Sequence, residues 1–232
     1  LETLKASELV NDYEDALKIL EEWDYFDTTQ QSAPLIFHHL MANLQESLFI
    51  NEMPKDLYKL MPGKAQILDE MLREAYADEK VLWIEKRGGL EKFVTTAFDK
   101  TMDNLSGEYG SNVNKWQWGD YHQLTFDHSL GSANKYLGML LNAKKIPVDG
   151  SKITVMAAGY DAKGNVDHGA SWRFVANISD LSKAEHIVGP GQSGHVKSEW
   201  YGNQIEDWAD GTYHTTNIVG EIKGKKLVLK AK

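Results

Sequence analysis

The stretch Gly189-Pro190-Gly191-Gln192-Ser193-Gly194 has the spacing G-x-G-x-x-G and follows the apolar pair Ile187-Val188. In a dinucleotide site such glycines let the backbone close around a pyrophosphate. That chemistry also needs a helix opening at the third glycine, so that free amides face the phosphate, and an acidic residue about 20 positions on. Pro190 and the polar run from Ser193 to Lys197 indicate a turn-rich loop instead. The same residues miss a nucleophile elbow, because His195 stands where G-x-S-x-G requires its last glycine.

The histidines give no metal signature. His122 and His128 flank Asp120 and Asp127, but neither pair has the i, i+4 helical spacing that aims two imidazoles at one ion. His38 and His39 are adjacent on a helical stretch and point about 100° apart, which predicts one buried and one exposed ring. The carboxylates Asp12, Glu14, Asp15, Glu21 and Glu22 read as a solvated helix face.

Arg173 is the unusual cation. The chain has 22 lysines and three arginines, and this arginine lies between Trp172 and Phe174 in a strand-like run. A guanidinium in a half-buried strand must be paired, because an unpaired buried charge costs several kcal/mol. Its fork is expected to hold a carboxylate or several carbonyls. Five tryptophans, Trp116, Trp118, Trp172, Trp200 and Trp208, fall in the C-terminal half. Core filling is the default for that side chain. The alternative is a stand-alone, non-catalytic binding module presenting three or more coplanar exposed rings to a carbohydrate or other small molecule.

The elements that position these residues change character along the chain. Leu9, Tyr13, Ala16, Leu17, Leu20 and Trp23 recur at three- and four-residue intervals, which predicts a helix over Ser7 to Glu22 with Ser7 as cap. Ser32-Ala33-Pro34 opens a second helix, apolar around much of its circumference from Leu35 to Phe49. Further helical periodicity runs through Ile67 to Ala75 and Leu90 to Leu105, separated by Arg87-Gly88-Gly89, with a short helix near Asp56.

After Ser106-Gly107 the runs are short, β-branched and bounded by turn residues: Lys152 to Gly159, Ser171 to Ile178, Tyr213 to Ile222 and Lys225 to Leu229. Lys223-Gly224 suggests a hairpin, and Phe174, Ala176 and Ile178 alternate with Arg173, Val175 and Asn177 as if on two distinct sheet faces. Helices followed by mainly antiparallel strands give an α+β class, with a helical segment at 1–105 and a β-rich segment at 106–232, both parts of one larger domain.

A net charge of −9 disfavours nucleic acid and anionic membrane surfaces as partners. The absence of cysteine removes disulfides, thiolate nucleophiles and sulfur-ligated metal sites. No apolar run approaches the ~20 residues of a membrane span. Leu1 to Lys5 lacks the layout of a signal peptide and begins directly in helical periodicity, as expected of a processed or trimmed chain.

Several blocks together resemble the penicillin acylase family of amidases. They are Trp23-Asp24 with Ser32-Ala33-Pro34-Leu35-Ile36-Phe37; Trp116-Gln117-Trp118-Gly119 with His122; and Phe126-Asp127-His128-Ser129-Leu130-Gly131. His168-Gly169-Ala170-Ser171-Trp172-Arg173-Phe174-Val175 follows, then Gly191-Gln192-Ser193-Gly194, Ser198, Tyr201, Gln204, Trp208, Gly211 and Tyr213, in the order of that family's C-terminal end. Ser129, Glu199-Trp200 and Asn203 depart from it, standing where proline, proline-histidine and aspartate are usual.

The resemblance implies the C-terminal part of the large subunit of an N-terminal-nucleophile hydrolase with a layered αββα fold. Such a precursor cuts itself to expose a serine whose own α-amine acts as base. That serine and the oxyanion asparagine are expected upstream of Leu1, so no catalytic residue is assigned within this chain. Arg173, His168, Gln192, Ser193 and Gln204 become candidates to line the pocket or support the catalytic groups. The resemblance further implies an acyl amide as substrate, and the upstream part of the large subunit and the small subunit as partners. It implies a secreted or periplasmic protein and no cofactor in this chain, calcium being possible in the full enzyme with ligands elsewhere.

Overall fold

The computed structural model describes residues 1–50, 52–216 and 227–230, and the chain divides into two compact units, Leu1–Tyr121 and His122–Lys232. The first unit is helical: α1 (Glu2–Lys5), α2 (Glu14–Glu21), α3 (Ala33–Phe49), α4 (Lys55–Leu60), α5 (Lys64–Tyr76), α6 (Leu82–Glu85), α7 (Leu90–Tyr109) and α8 (Trp118–Tyr121). Its centre is α3 packed on α7. Leu35, Ile36, Leu44, Leu48 and Phe49 of α3 and Phe93, Ala97, Phe98 and Leu105 of α7 are buried, the larger ones stabilising by about 1.5–3 kcal/mol each.

The N-terminal helix expected over Ser7 to Glu22 is broken: a 3₁₀ turn at Glu8–Val10 precedes α2. Ser7 is not a side-chain cap, because its Oγ donates to Leu4 O at 2.7 Å. Ser32 likewise turns its hydroxyl away from α3, to Val113 O and Trp116 O at 2.9 and 2.6 Å. Pro34 occupies the first turn of α3, where its missing N–H costs nothing.

Arg87 closes the other end of α3. Its Nε donates to Ser47 O at 2.7 Å and its Nη2 to Leu48 O at 2.6 Å, while Nη1 reaches Trp83 O and Glu52 Oε1. A planar fork thereby satisfies carbonyls that a helix C-terminus leaves without partners. Gly88 and Gly89 follow with φ of 92° and 88° and admit the turn into α7.

The second unit carries β1 (Gln123–Leu124), α9 (Lys135–Leu141), β2 (Ile146–Pro147), β3 (Ala158–Tyr160), β4 (Asn165–Gly169), β5 (Trp172–Asn177), β6 (Asp180–Val188), α10 (Ile205–Asp210) and β7 (His214–Thr215). One sheet has the order β2-β1-β4-β3 and the other β5-β6-β7. All pairings are antiparallel among the described strands except β1 with β4. Leu124, Val148, Ala158, Val166, Ile187 and Trp208 form the core.

The strand expected over Lys152 to Gly159 is reduced to β3 at its end. Thr154 Oγ1 accepts from Ser151 N at 2.7 Å and donates to Met156 O at 2.8 Å, and this local alternative competes with a ladder. Ile153 and Val155 are left exposed. β4 and β6 were not legible, since Asn-Val-Asp-His-Gly and Asp-Leu-Ser-Lys-Ala-Glu-His are weak strand formers that pairing on both sides makes extended. On β5 the two-faced alternation does not translate into burial: Phe174 and Val175, on opposite faces, are both exposed.

Of the run expected over Tyr213 to Ile222, β7 is described. Residues 217–226, including the proposed Lys223-Gly224 turn, lie outside the described residues. Leu227, Val228 and Leu229 are exposed and outside any strand.

Candidate functional site

Two of the residues singled out in the sequence, Arg173 and Gln204, converge on Trp208, which is buried to 2% exposure in α10. Arg173 projects from β5 so that its Nη2 donates to Trp208 O at 2.5 Å and its guanidinium carbon lies 4.3 Å from the indole centroid. The acceptor lies in the last turn of α10, where a cation is also favoured by the helix dipole. Arg173 is half-buried, with its Nε buried and unbonded among the described residues. Among the described residues its partners are one carbonyl and one aromatic face, with no carboxylate.

Gln204 holds the other end of the helix. Its backbone carbonyl accepts Trp208 N at 2.9 Å, its Oε1 accepts Val188 N at 3.2 Å and its own N–H donates to Pro190 O at 3.1 Å. The indole N–H donates to Ala170 O at 2.9 Å, and Phe126 meets the ring edge-on at 5.5 Å. Trp208 is therefore held by a cation over its ring, by an aromatic neighbour and at its polar tip.

Of the G-x-G-x-x-G run, Gly189 serves this packing and Gly191 admits a close backbone approach within the loop. A Cβ on Gly189 would lie 2.5 Å from Phe126 Cζ and 3.3 Å from Trp208 Cδ1, and one on Gly191 would lie 2.4 Å from Trp200 O. Past Gly194 the chain turns, and the next helix opens at Ile205.

Trp208, Phe126, Leu124 and Val166 floor an open cleft of about 620 Å³ whose polar wall carries Asp127, Asp167 and His168. Asp127 Oδ1 accepts from Asn142 Nδ2 at 2.6 Å. His168 is exposed on that wall. Ser193 and Gln192 sit in the loop before α10: Ser193 Oγ accepts from His195 N at 3.1 Å, and Gln192 is exposed. The structure thus brings Arg173 and Gln204 together through Trp208 and sets His168 on the adjoining cleft. Gln192 and Ser193 do not line it.

His122 is buried, with Nδ1 2.7 Å from Val148 O and Nε2 3.0 Å from Ala158 O, and His128 Nδ1 accepts from Leu130 N. Among the described residues no three His, Asp or Glu side chains stand close enough to share a metal ion. His38 and His39 are both half-buried, against the expected split: His38 Nε2 lies 2.9 Å from Asp27 Oδ2, and His39 Nδ1 lies 2.8 Å from Leu35 O. Of the five C-terminal-half tryptophans, Trp116, Trp118 and Trp208 are buried and two are exposed, so they form no three-ring platform.

Among the described residues that line the cleft, no hydroxyl is hydrogen-bonded to a histidine. The chain belongs to the penicillin amidase family, whose model matches residues 1–219, and its α+β fold is that of the N-terminal-nucleophile hydrolases to which penicillin acylase belongs.

A thermostable penicillin G acylase from Alcaligenes faecalis aligns over 100% of the chain with a TM-score of 0.55 at 14% identity, and the chain spans 45% of it. Penicillin acylase 2 proenzyme of Pseudomonas sp. (strain SE83) is 28% identical over 116 residues, 49% of this chain and 15% of that protein. Acyl-homoserine lactone acylase QuiP of Pseudomonas syringae pv. syringae is 28% identical over 111 residues, covering 47% of this chain and 14% of the relative.

Proposed function

We propose that this chain is the C-terminal portion of an amide hydrolase that cleaves N-acyl amide bonds, such as the side-chain amide of penicillins, through an acyl-enzyme on an N-terminal serine outside these residues. The observation that carries this is the family match over residues 1–219 by a chain that spans under half of a solved acylase. A relative named as a proenzyme supports a precursor that is cut into subunits.

In this reading the serine's α-amine takes the hydroxyl proton, directly or through water, as the oxygen attacks the amide carbon. Oxyanion donors hold the tetrahedral intermediate, the amine leaves with a proton, and water hydrolyses the ester. The 232 residues contribute structure: the clamp of Arg173 and Gln204 on Trp208 fixes the cleft floor, and the remainder of the precursor supplies the reacting groups. The chain alone hydrolyses no acyl amide, since loss of the nucleophile leaves at most weak residual catalysis. Intact-mass measurement of the natural protein tests the assembly. The expected result is this sequence within a larger subunit beginning with serine and accompanied by a smaller chain; a single unprocessed polypeptide with no such serine would overturn it.

A further inference from the structure

The helical unit holds a second concavity, about 390 Å³ in volume, between α1, the end of α2, α3, α5 and α7. That volume lies within the usual range for small-molecule pockets. Its floor is aliphatic, with Leu40 and Leu44 of α3 and Leu72 of α5. Its mouth is aromatic: Trp23 lies 5.3 Å from both Tyr25 and Phe37, ring centroid to centroid.

Tyr25 has a φ of 64° while the residue is 80% exposed. A bulky residue rarely adopts that backbone, and here burial of the ring does not compensate it. The conformation is held locally, by Phe26 N donating to Asp24 Oδ1 at 3.1 Å and Trp23 Nε1 donating to Phe26 O at 3.0 Å. The segment therefore presents an aromatic ring at the edge of an apolar pocket. Arg73 is the charged side chain of the lining. Its Nε is bonded to Asp69 Oδ2 at 2.9 Å, and its Nη1 and Nη2 carry no hydrogen bond among the described residues.

We infer that this groove binds a small amphiphile with an apolar body and one carboxylate, an alkyl or aryl carboxylic acid, with the tail on Leu40, Leu44 and Leu72 and the carboxylate on the Arg73 fork. A guanidinium offers paired donors that match a carboxylate. Asp69 takes the Nε edge of the guanidinium and leaves Nη1 and Nη2 as the donors for the ligand. The inference does not depend on the acylase role, because it uses only the helical unit.

The test is calorimetric titration of the full chain with sodium decanoate below its micellar concentration, against decyltrimethylammonium, with methyl NMR to place the site. Decanoate is expected to bind saturably and to shift the methyls of Leu40, Leu44 and Leu72. Arg73→Gln, at an exposed position, is expected to keep the circular dichroism spectrum and weaken decanoate about fivefold to tenfold, and Tyr25→Gly to weaken it similarly. No saturable binding, equal binding of the cationic probe, unchanged affinity in a folded Arg73→Gln, or shifts elsewhere would each overturn it.

Discussion

Arg173 grips Trp208 twice, by a hydrogen bond to its carbonyl and by stacking over its ring. Lysine reproduces the charge but not a flat surface that stacks while donating in plane. Arg173→Lys is expected to lower stability by about 1–2 kcal/mol, measured as a shift in the urea midpoint followed by tryptophan fluorescence. An unchanged midpoint would mean that the fork contributes nothing beyond its charge.

Gly189 and Gly194 make a matched pair. A Cβ at Gly189 meets Phe126 at 2.5 Å, whereas one at Gly194 meets nothing within 4 Å. Gly189→Ala should cost about 1–3 kcal/mol through overpacking, and Gly194→Ala should lie within about 0.5 kcal/mol of the parent. Equal effects at the two positions would contradict a packing role for the loop glycines.

Arg87 and Arg73 differ in the same way. The Arg87 side chain is 15% exposed and holds carbonyls of Ser47, Leu48 and Trp83, whereas that of Arg73 is 74% exposed and holds one carboxylate. Arg87→Ala is expected to destabilise the helical unit by about 2–4 kcal/mol because several acceptors lose a charged donor. Arg73→Ala should change it by less than about 1 kcal/mol. Chemical denaturation followed by far-ultraviolet circular dichroism separates the two.

His39 makes the helical unit sensitive to acid. Burial pushes its pKa below the ordinary value near 6.5, against a smaller upward pull from the Leu35 carbonyl. The unfolded chain then binds the proton more readily, so stability is full above about pH 6.5 and falls as pH drops toward the lower folded value. His39→Gln should flatten that slope in denaturation midpoints taken between pH 7 and 5. A slope unchanged by the substitution would place the sensitivity elsewhere.

Where periodicity was long, the sequence declared the fold. Leu35 to Phe49 and Leu90 to Leu105 became α3 and α7, because each run is long enough for its apolar face to determine the period. Short strands were less legible. Ile153 and Val155 signalled a strand that Thr154 diverted into a local turn, while β6 formed from residues of poor strand propensity because β5 and β7 pair with it.

In the site, Arg173 was visible as an arginine in an apolar strand and Gln204 through the family blocks. That both act on Trp208 was not visible, because Arg173 lies far from the other two in sequence and Trp208 looks like any core tryptophan. Phe126 and Asp127 also stand in one of the family-like blocks, with nothing local to mark them as parts of the cleft.

The most direct test of the proposed role compares the 232-residue chain with the complete gene product on a chromogenic phenylacetyl amide, at equal concentration and pH. Turnover by the complete product and none above the uncatalysed rate by the isolated chain is the expected result. Measurable turnover by the isolated chain would contradict a nucleophile located outside it.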